Sequence, residues 1–94
     1  MARIIPNSGR SVEEAVVIED AADHLDGIAA EYRYLEERYG KEGVAWKLKF
    51  QFLLDVPPEE GGGSARFFDK LIIELADGSV ETVYFNIGSF FDMA

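Results

Sequence analysis

Trp46-Lys47-Leu48-Lys49-Phe50-Gln51-Phe52-Leu53-Leu54-Asp55-Val56 is the stretch on which the reading of the fold turns. Trp46, Leu48, Phe50, Phe52, Leu54 and Val56 alternate with Lys47, Lys49, Gln51 and Asp55. Successive side chains of a strand point to opposite faces, so this pattern predicts a strand, around residues 44–56, with one buried and one wetter face. On that expectation all six apolar residues lie on the side against which the rest of the domain packs.

Immediately upstream the period changes. Ala21, Leu25, Ile28, Tyr32, Leu35 and Tyr39 are spaced four and three apart, which predicts an amphipathic helix from Ala21 to Tyr39 with these residues as its buried stripe. Asp20 is a good N-cap and Gly40 a good terminator, and Asp20, Asp23 and Asp26 suit the positive end of the helix dipole. Asp23, Gly27, Ala30 and Tyr34 then fall on the opposite side. Gly27 leaves a thin surface there beside an outward Tyr34, a place where a partner's side chain or helix could seat. The plainer alternative is a tolerated glycine and a lone exposed aromatic.

Residues 14–19 (Glu-Ala-Val-Val-Ile-Glu) are rich in β-branched side chains and predict a short strand. Ser11 followed by Glu14 offers a rival helix start. Ile4 and Ile5 precede a Pro6–Gly9 turn, and residues 1–10 form a frayed end or an extra edge strand. Downstream, residues 57–65 are a flexible Pro/Gly-rich connector. It is not a phosphate loop, because it leads into a strand and has no Gly-Lys-Ser/Thr.

Two further strands are expected near residues 66–76 and 79–87. A two-residue Asp77-Gly78 turn would set Glu74 against Glu81 and split the apolar set between faces. A three-residue loop with Gly78 in the left-handed bulge position unites Phe67, Leu71, Ile73 and Leu75 with Val83, Phe85 and Ile87, and is predicted. The terminal segment 88–94 carries Phe90 and Phe91, which are expected to dock on the domain edge or on a second subunit.

These elements assemble as a two-layer α+β domain over residues 1–94: β-α-β-β-β, one helix on an antiparallel sheet whose last three strands form a meander. The sheet face away from the helix is expected to carry Lys47, Lys49, Gln51, Lys70, Glu74, Thr82, Tyr84 and Asn86, with Leu53, Phe68 and Ile72 among them. Back-to-back pairing of that face would make a two-fold homodimer centred on Phe68, Ile72, Leu53 and Tyr84; an ordinary solvated face is the alternative.

Eighteen acidic against nine basic side chains give a formal charge of −9, which argues against nucleic acid, whose phosphates require clustered Lys and Arg. Residues 11–42 hold ten acidic and three basic side chains, so the helix side is acidic and the sheet side mildly basic. The chain has no cysteine, hence no disulfide or thiolate chemistry. No signal peptide and no stretch long enough to span a membrane is seen, and the cytoplasm is the default location.

Chemistry-bearing residues are sparse. His24 is the single histidine; with Asp20 and Glu31 it makes an incomplete ligand set, so no metal and no cofactor is expected. No serine sits in a Gly-x-Ser-x-Gly elbow. Neighbouring carboxylates such as Glu36 and Glu37 point apart and do not make an acid/base pair, although a carboxylate from another element could supply one. Tyr84 beside Lys70 is expected as a plain cross-strand contact. No family motif is present. The reading favoured is a small acidic, non-catalytic protein-interaction or accessory module. Its candidate contact residues are Gly27, Tyr34, Lys47, Lys49, Phe68, Ile72, Tyr84, Phe90 and Phe91. An acidic inhibitor or immunity-type protein that occupies a basic site is second, and a small-ligand binder or enzyme third.

Overall fold

A computed structural model of the protein describes residues 1–57 and 66–91. The chain runs β1 (Arg3–Ile5), β2 (Val16–Glu19), α1 (His24–Tyr39), β3 (Trp46–Val56), β4 (Arg66–Leu75) and β5 (Val80–Asn86). One helix packs on a five-stranded sheet of order β1-β2-β5-β4-β3, so the fold is α+β. β3, β4 and β5 form the expected antiparallel meander. The early segment 1–10 contributes a true edge strand, β1, antiparallel to β2. β2 lies parallel to β5, which makes the sheet mixed rather than purely antiparallel. Its Val16 and Ile18 are fully buried, as befits a short strand flanked on both sides, by edge strand β1 and by β5.

The β4–β5 turn follows the predicted register. Gly78 has φ +89°, its N–H donates to the Leu75 carbonyl at 2.9 Å, and the Leu75 N–H donates to Ser79 O at 2.8 Å. Leu71 then faces Val83, and Phe85 faces Asp69. Val83, Phe85, Leu71 and Ile73 are buried together with Val16, Ile18, Ala30, Leu35, Trp46 and Ile87 in one core.

Besides the mixed sheet, α1 and β3 each differ from the sequence expectation. The helix begins at His24, not Ala21: Asp23 is the N-cap, its Oδ1 accepting from the Asp26 N–H at 2.8 Å, while Asp26 Oδ2 accepts from Ala22 N–H at 2.9 Å. Asp20 instead takes a left-handed turn at φ +58°. The helix is also rolled about its axis. Its buried line runs through Gly27, Ala30, Glu31 and Leu35, while Leu25 is 75 % exposed. The cause is the C-terminal segment: Phe90 is fully buried against Gly27, where any Cβ would come within 2.5 Å of the ring. Small residues at 27 and 30 admit that ring, and the larger residues of the predicted stripe move to the flanks.

The second difference lies in β3. Its pairing with β4 shifts between Leu48 and Phe50, so Lys49 is an extra residue, a β-bulge. Trp46 and Leu48 oppose Leu75 and Ile73 and face the helix, whereas Phe50, Phe52, Leu54 and Val56 oppose Ile72, Lys70, Phe68 and Arg66 on the other face. The alternation in sequence is unbroken, but one inserted residue moves everything after it across the sheet. Gln51, Leu53 and Asp55 correspondingly pass to the helix side. The connector 57–65 lies, apart from Pro57, outside the described residues.

Candidate functional site

The bulge decides what the uncovered sheet face offers. Phe50 and Phe52 are 56 % and 48 % exposed, with ring centroids 6.3 Å apart and planes 21° from parallel. They form a ridge on that face, beside the partly buried Ile72, Leu54 and Tyr84. Scattered exposed apolar residues are ordinary; two stacked phenylalanines on an open sheet make a contiguous apolar ridge. Basic groups border the ridge. Lys47 Nζ lies 3.2 Å and Lys49 Nζ 3.9 Å from the Glu74 carboxylate, and Lys70 Nζ stands 5.7 Å from the Tyr84 ring centroid, across the predicted cross-strand pair. Lys47 is largely exposed, so the pairing with Glu74 restrains the lysines without contributing much stability.

β3 is an edge strand as well. It pairs with β4 on one side only, and beyond the Glu42–Trp46 bridge at its start nothing among the described residues pairs with its other side. The unpaired N–H and C=O groups of residues 50–56 thus adjoin the ridge. Leu53, on the helix side of the same edge, is 55 % exposed.

The residues singled out from sequence distribute as follows. Lys47, Lys49, Ile72 and Tyr84 do share the open face. Phe68 is on that face but only 1 % exposed, with the Arg66 guanidinium 5.7 Å from its ring centroid, and so presents little surface. Gly27 and Phe90 meet each other inside the chain. Phe91 stacks on Phe67 with centroids 3.9 Å apart. The tail is pinned further by Ser89 Oγ donating to Ile18 O at 2.5 Å and by His24 Nδ1 3.4 Å from Phe90 O. Tyr34 is half-buried, edge-on to Phe85 at 5.6 Å; its hydroxyl donates to Asn7 O at 3.0 Å and accepts from Arg38 at 2.8 Å. Phe50 and Phe52 were assigned to the core by their alternation. No glycine or proline announces the bulge, so the sequence carries no signal for their exposure.

A second arrangement was invisible in one dimension. Glu31 of α1 is fully buried and faces β4, whose Asp69 is 7 % exposed. Neither Glu31 oxygen has a hydrogen-bond partner among the described residues. Burial, reinforced by the neighbouring Asp69 carboxyl, pushes the Glu31 pKa up to about 10, so at neutral pH it is a protonated, uncharged acid. Asp69 acts on it as a close carboxylate rather than through a formed hydrogen bond. The pair has the composition of an acid/base couple, but it is sealed between helix and sheet. The surface clefts lie elsewhere: one of about 300 Å³ lined by Ile4, Pro6, Tyr34, Glu37 and Arg38, and one of about 200 Å³ around Gly43, Trp46 and Glu74. Both are open, and the Tyr34 and Arg38 polar groups in the first are engaged with the 7–8 backbone.

Among the described residues no three His, Asp or Glu side chains come together as a metal site, and no helix is long and apolar enough to cross a membrane. No protein-family model matches the chain, and neither a curated protein sequence nor a solved structure matches it significantly. The functional reading therefore rests on the geometry of the open face.

Proposed function

We propose that the protein is a small acidic, non-catalytic interaction module that engages a protein partner through the outer face of its sheet. The observation that carries this reading is the bulge at Lys49, which turns Phe50 and Phe52 out of the core and leaves them stacked and half-exposed. A strand that continued its alternation would have buried both. Leaving two phenylalanines half-exposed forgoes about half of the 1.5–3 kcal/mol that full burial of each contributes, a cost that binding recovers. Aromatic residues ringed by long basic side chains have the composition of a contact centre with a polar rim.

The test is a double substitution, Phe50→Asp with Phe52→Asp, compared with wild type by light scattering and by binding to any purified partner. Association should be lost while the circular dichroism and melting cooperativity persist. Association that survives both substitutions overturns the reading. Charge reversal at Lys47 and Lys49 should weaken the same association more mildly, by about two- to tenfold, as rim charges do.

The acidic inhibitor or immunity-type role stands second. It is supported by the carboxylate density of residues 11–42. It requires binding through the helix side that falls steeply with salt.

A further inference from the structure

We propose that a second copy of the same chain docks on the β3 edge that borders this surface, joined to the first edge to edge by antiparallel pairing of residues 50–56 of β3 about a two-fold axis at Leu53. The inference rests on the outer-face reading and names its partner.

The edge itself argues for an occupant. Sheet edges are normally blunted by charge, bulges or covering segments, because an open ladder recruits other strands. In β3 the blunting devices stop early: Lys47, Lys49 and the bulge all precede Phe50. Residues 50–56 (Phe-Gln-Phe-Leu-Leu-Asp-Val) are regularly extended, with Asp55 as the one charge.

The pattern of that segment argues for a copy of itself. Opposed residues of an antiparallel pair share a face. With Leu53 on the axis, Phe50 opposes Val56 and Phe52 opposes Leu54, all on the outer face. Four apolar residues from each copy then make one continuous band. On the helix side Leu53 meets its mate, covering a side chain that is 55 % exposed in one copy. Gln51 meets Asp55, an amide donor against a carboxylate, so no like charges oppose across the seam despite the formal charge of −9. Lys49, two residues beyond Gln51, stands at the end of the seam nearest the other copy's Asp55, so opposite charges flank it. The interface is isologous and closed, the commonest form of homodimer. It extends the two sheets into one.

The chain's lack of cysteine makes the register directly testable. Directly opposed Cα atoms lie about 4.5–5.5 Å apart, within disulfide reach. Leu53→Cys should therefore give a disulfide-linked dimer under mild oxidation. Gln51→Cys alone should not, since each residue 51 sits four positions, about 13 Å, from its mate along the seam. A mixture of Gln51→Cys and Asp55→Cys should cross-link. Wild type should be a dimer by light scattering, and a Leu53→Pro variant a monomer that remains folded, because its lost N–H and ring act at a free edge. A wild type that stays monomeric at millimolar concentration, or a dimer in which Gln51→Cys cross-links and Leu53→Cys does not, overturns the inference. A monomer whose heterologous partner is still lost on Phe50→Asp with Phe52→Asp overturns only the second copy. Insensitivity to that double substitution overturns the outer-face reading itself.

Discussion

Gly27 and Phe90 meet at a distance that leaves no tolerance: a Cβ on residue 27 would lie 2.5–2.6 Å from three ring atoms. Alanine is the better helix former by up to about 1 kcal/mol, yet Gly27→Ala should destabilise the protein by about 1–3 kcal/mol, because overpacking outweighs propensity. Phe90→Ala, which empties the same contact from the other side, should cost about 3–5 kcal/mol in denaturant melts. In the Phe90→Ala background the Gly27→Ala penalty should vanish or reverse, and a double-mutant cycle without that coupling would deny the packing account. Glu31 gives a prediction with a sign. Its pKa is about 10 when folded and about 4.5 in an unpaired chain, so the unfolded state binds fewer protons throughout that window. Stability contributed by this group is accordingly greatest below about pH 4.5 and falls as pH rises toward 10. Glu31→Gln, uncharged at every pH, should flatten the fall between pH 5 and 9 and raise neutral-pH stability, by roughly 1–3 kcal/mol where relief of ionisation dominates. A pH–stability curve unchanged by that substitution would show that Glu31 is not buried as an acid.

At the scale of the element, β3 behaves as two strands that share a backbone. Trp46 and Leu48, ahead of the bulge, face the helix, and Trp46 is buried with its Nε1–H donating to Gly40 O at 2.8 Å. Trp46→Ala should cost about 3–5 kcal/mol. Phe50→Thr and Phe52→Thr, past the bulge, should each change monomer stability by less than about 1 kcal/mol, since surface positions rarely matter more and threonine suits a strand. An unbroken alternation would make all three comparably costly, so chemical denaturation of the three single variants measures the bulge directly. The helix shows the same dependence on context: its spacing of apolar residues is sound, but the line that is buried is chosen by Phe90 and by the sheet, not by the most apolar stripe.

At the scale of the whole molecule, charge and apolar surface make opposite demands. A copy carrying a formal charge of −9 repels another at long range, and salt screens that repulsion over about 10 Å at 0.1 M. Self-association through β3 should therefore hold or strengthen between about 20 and 300 mM salt. Binding to a basic site through the acidic helix side should weaken over the same range. Sedimentation or light scattering across a salt series separates the two, and association that collapses with salt would favour the inhibitor reading over the edge-paired copy.

Local physics carried much of the fold. The strand at 46–56, the helix ending at Tyr39 before Gly40, the meander, and the Gly78 bulge turn with its Leu71–Val83 register were legible because each depends on periodicity or on which residues oppose across a few positions. The α+β class followed from those elements alone. What the sequence could not decide is every matter of which face meets what. A one-residue bulge at Lys49 has no composition signal, yet it inverts all positions after it. The rotation of α1 depends on Phe90, more than sixty residues from Gly27 in the chain. Glu31 and Asp69 are brought together only because helix and sheet stack, and their pairing decides that a surface-type residue is an uncharged core acid. Periodicity determines that a face exists; the packing of distant segments determines which face is covered, and so which residues are left exposed.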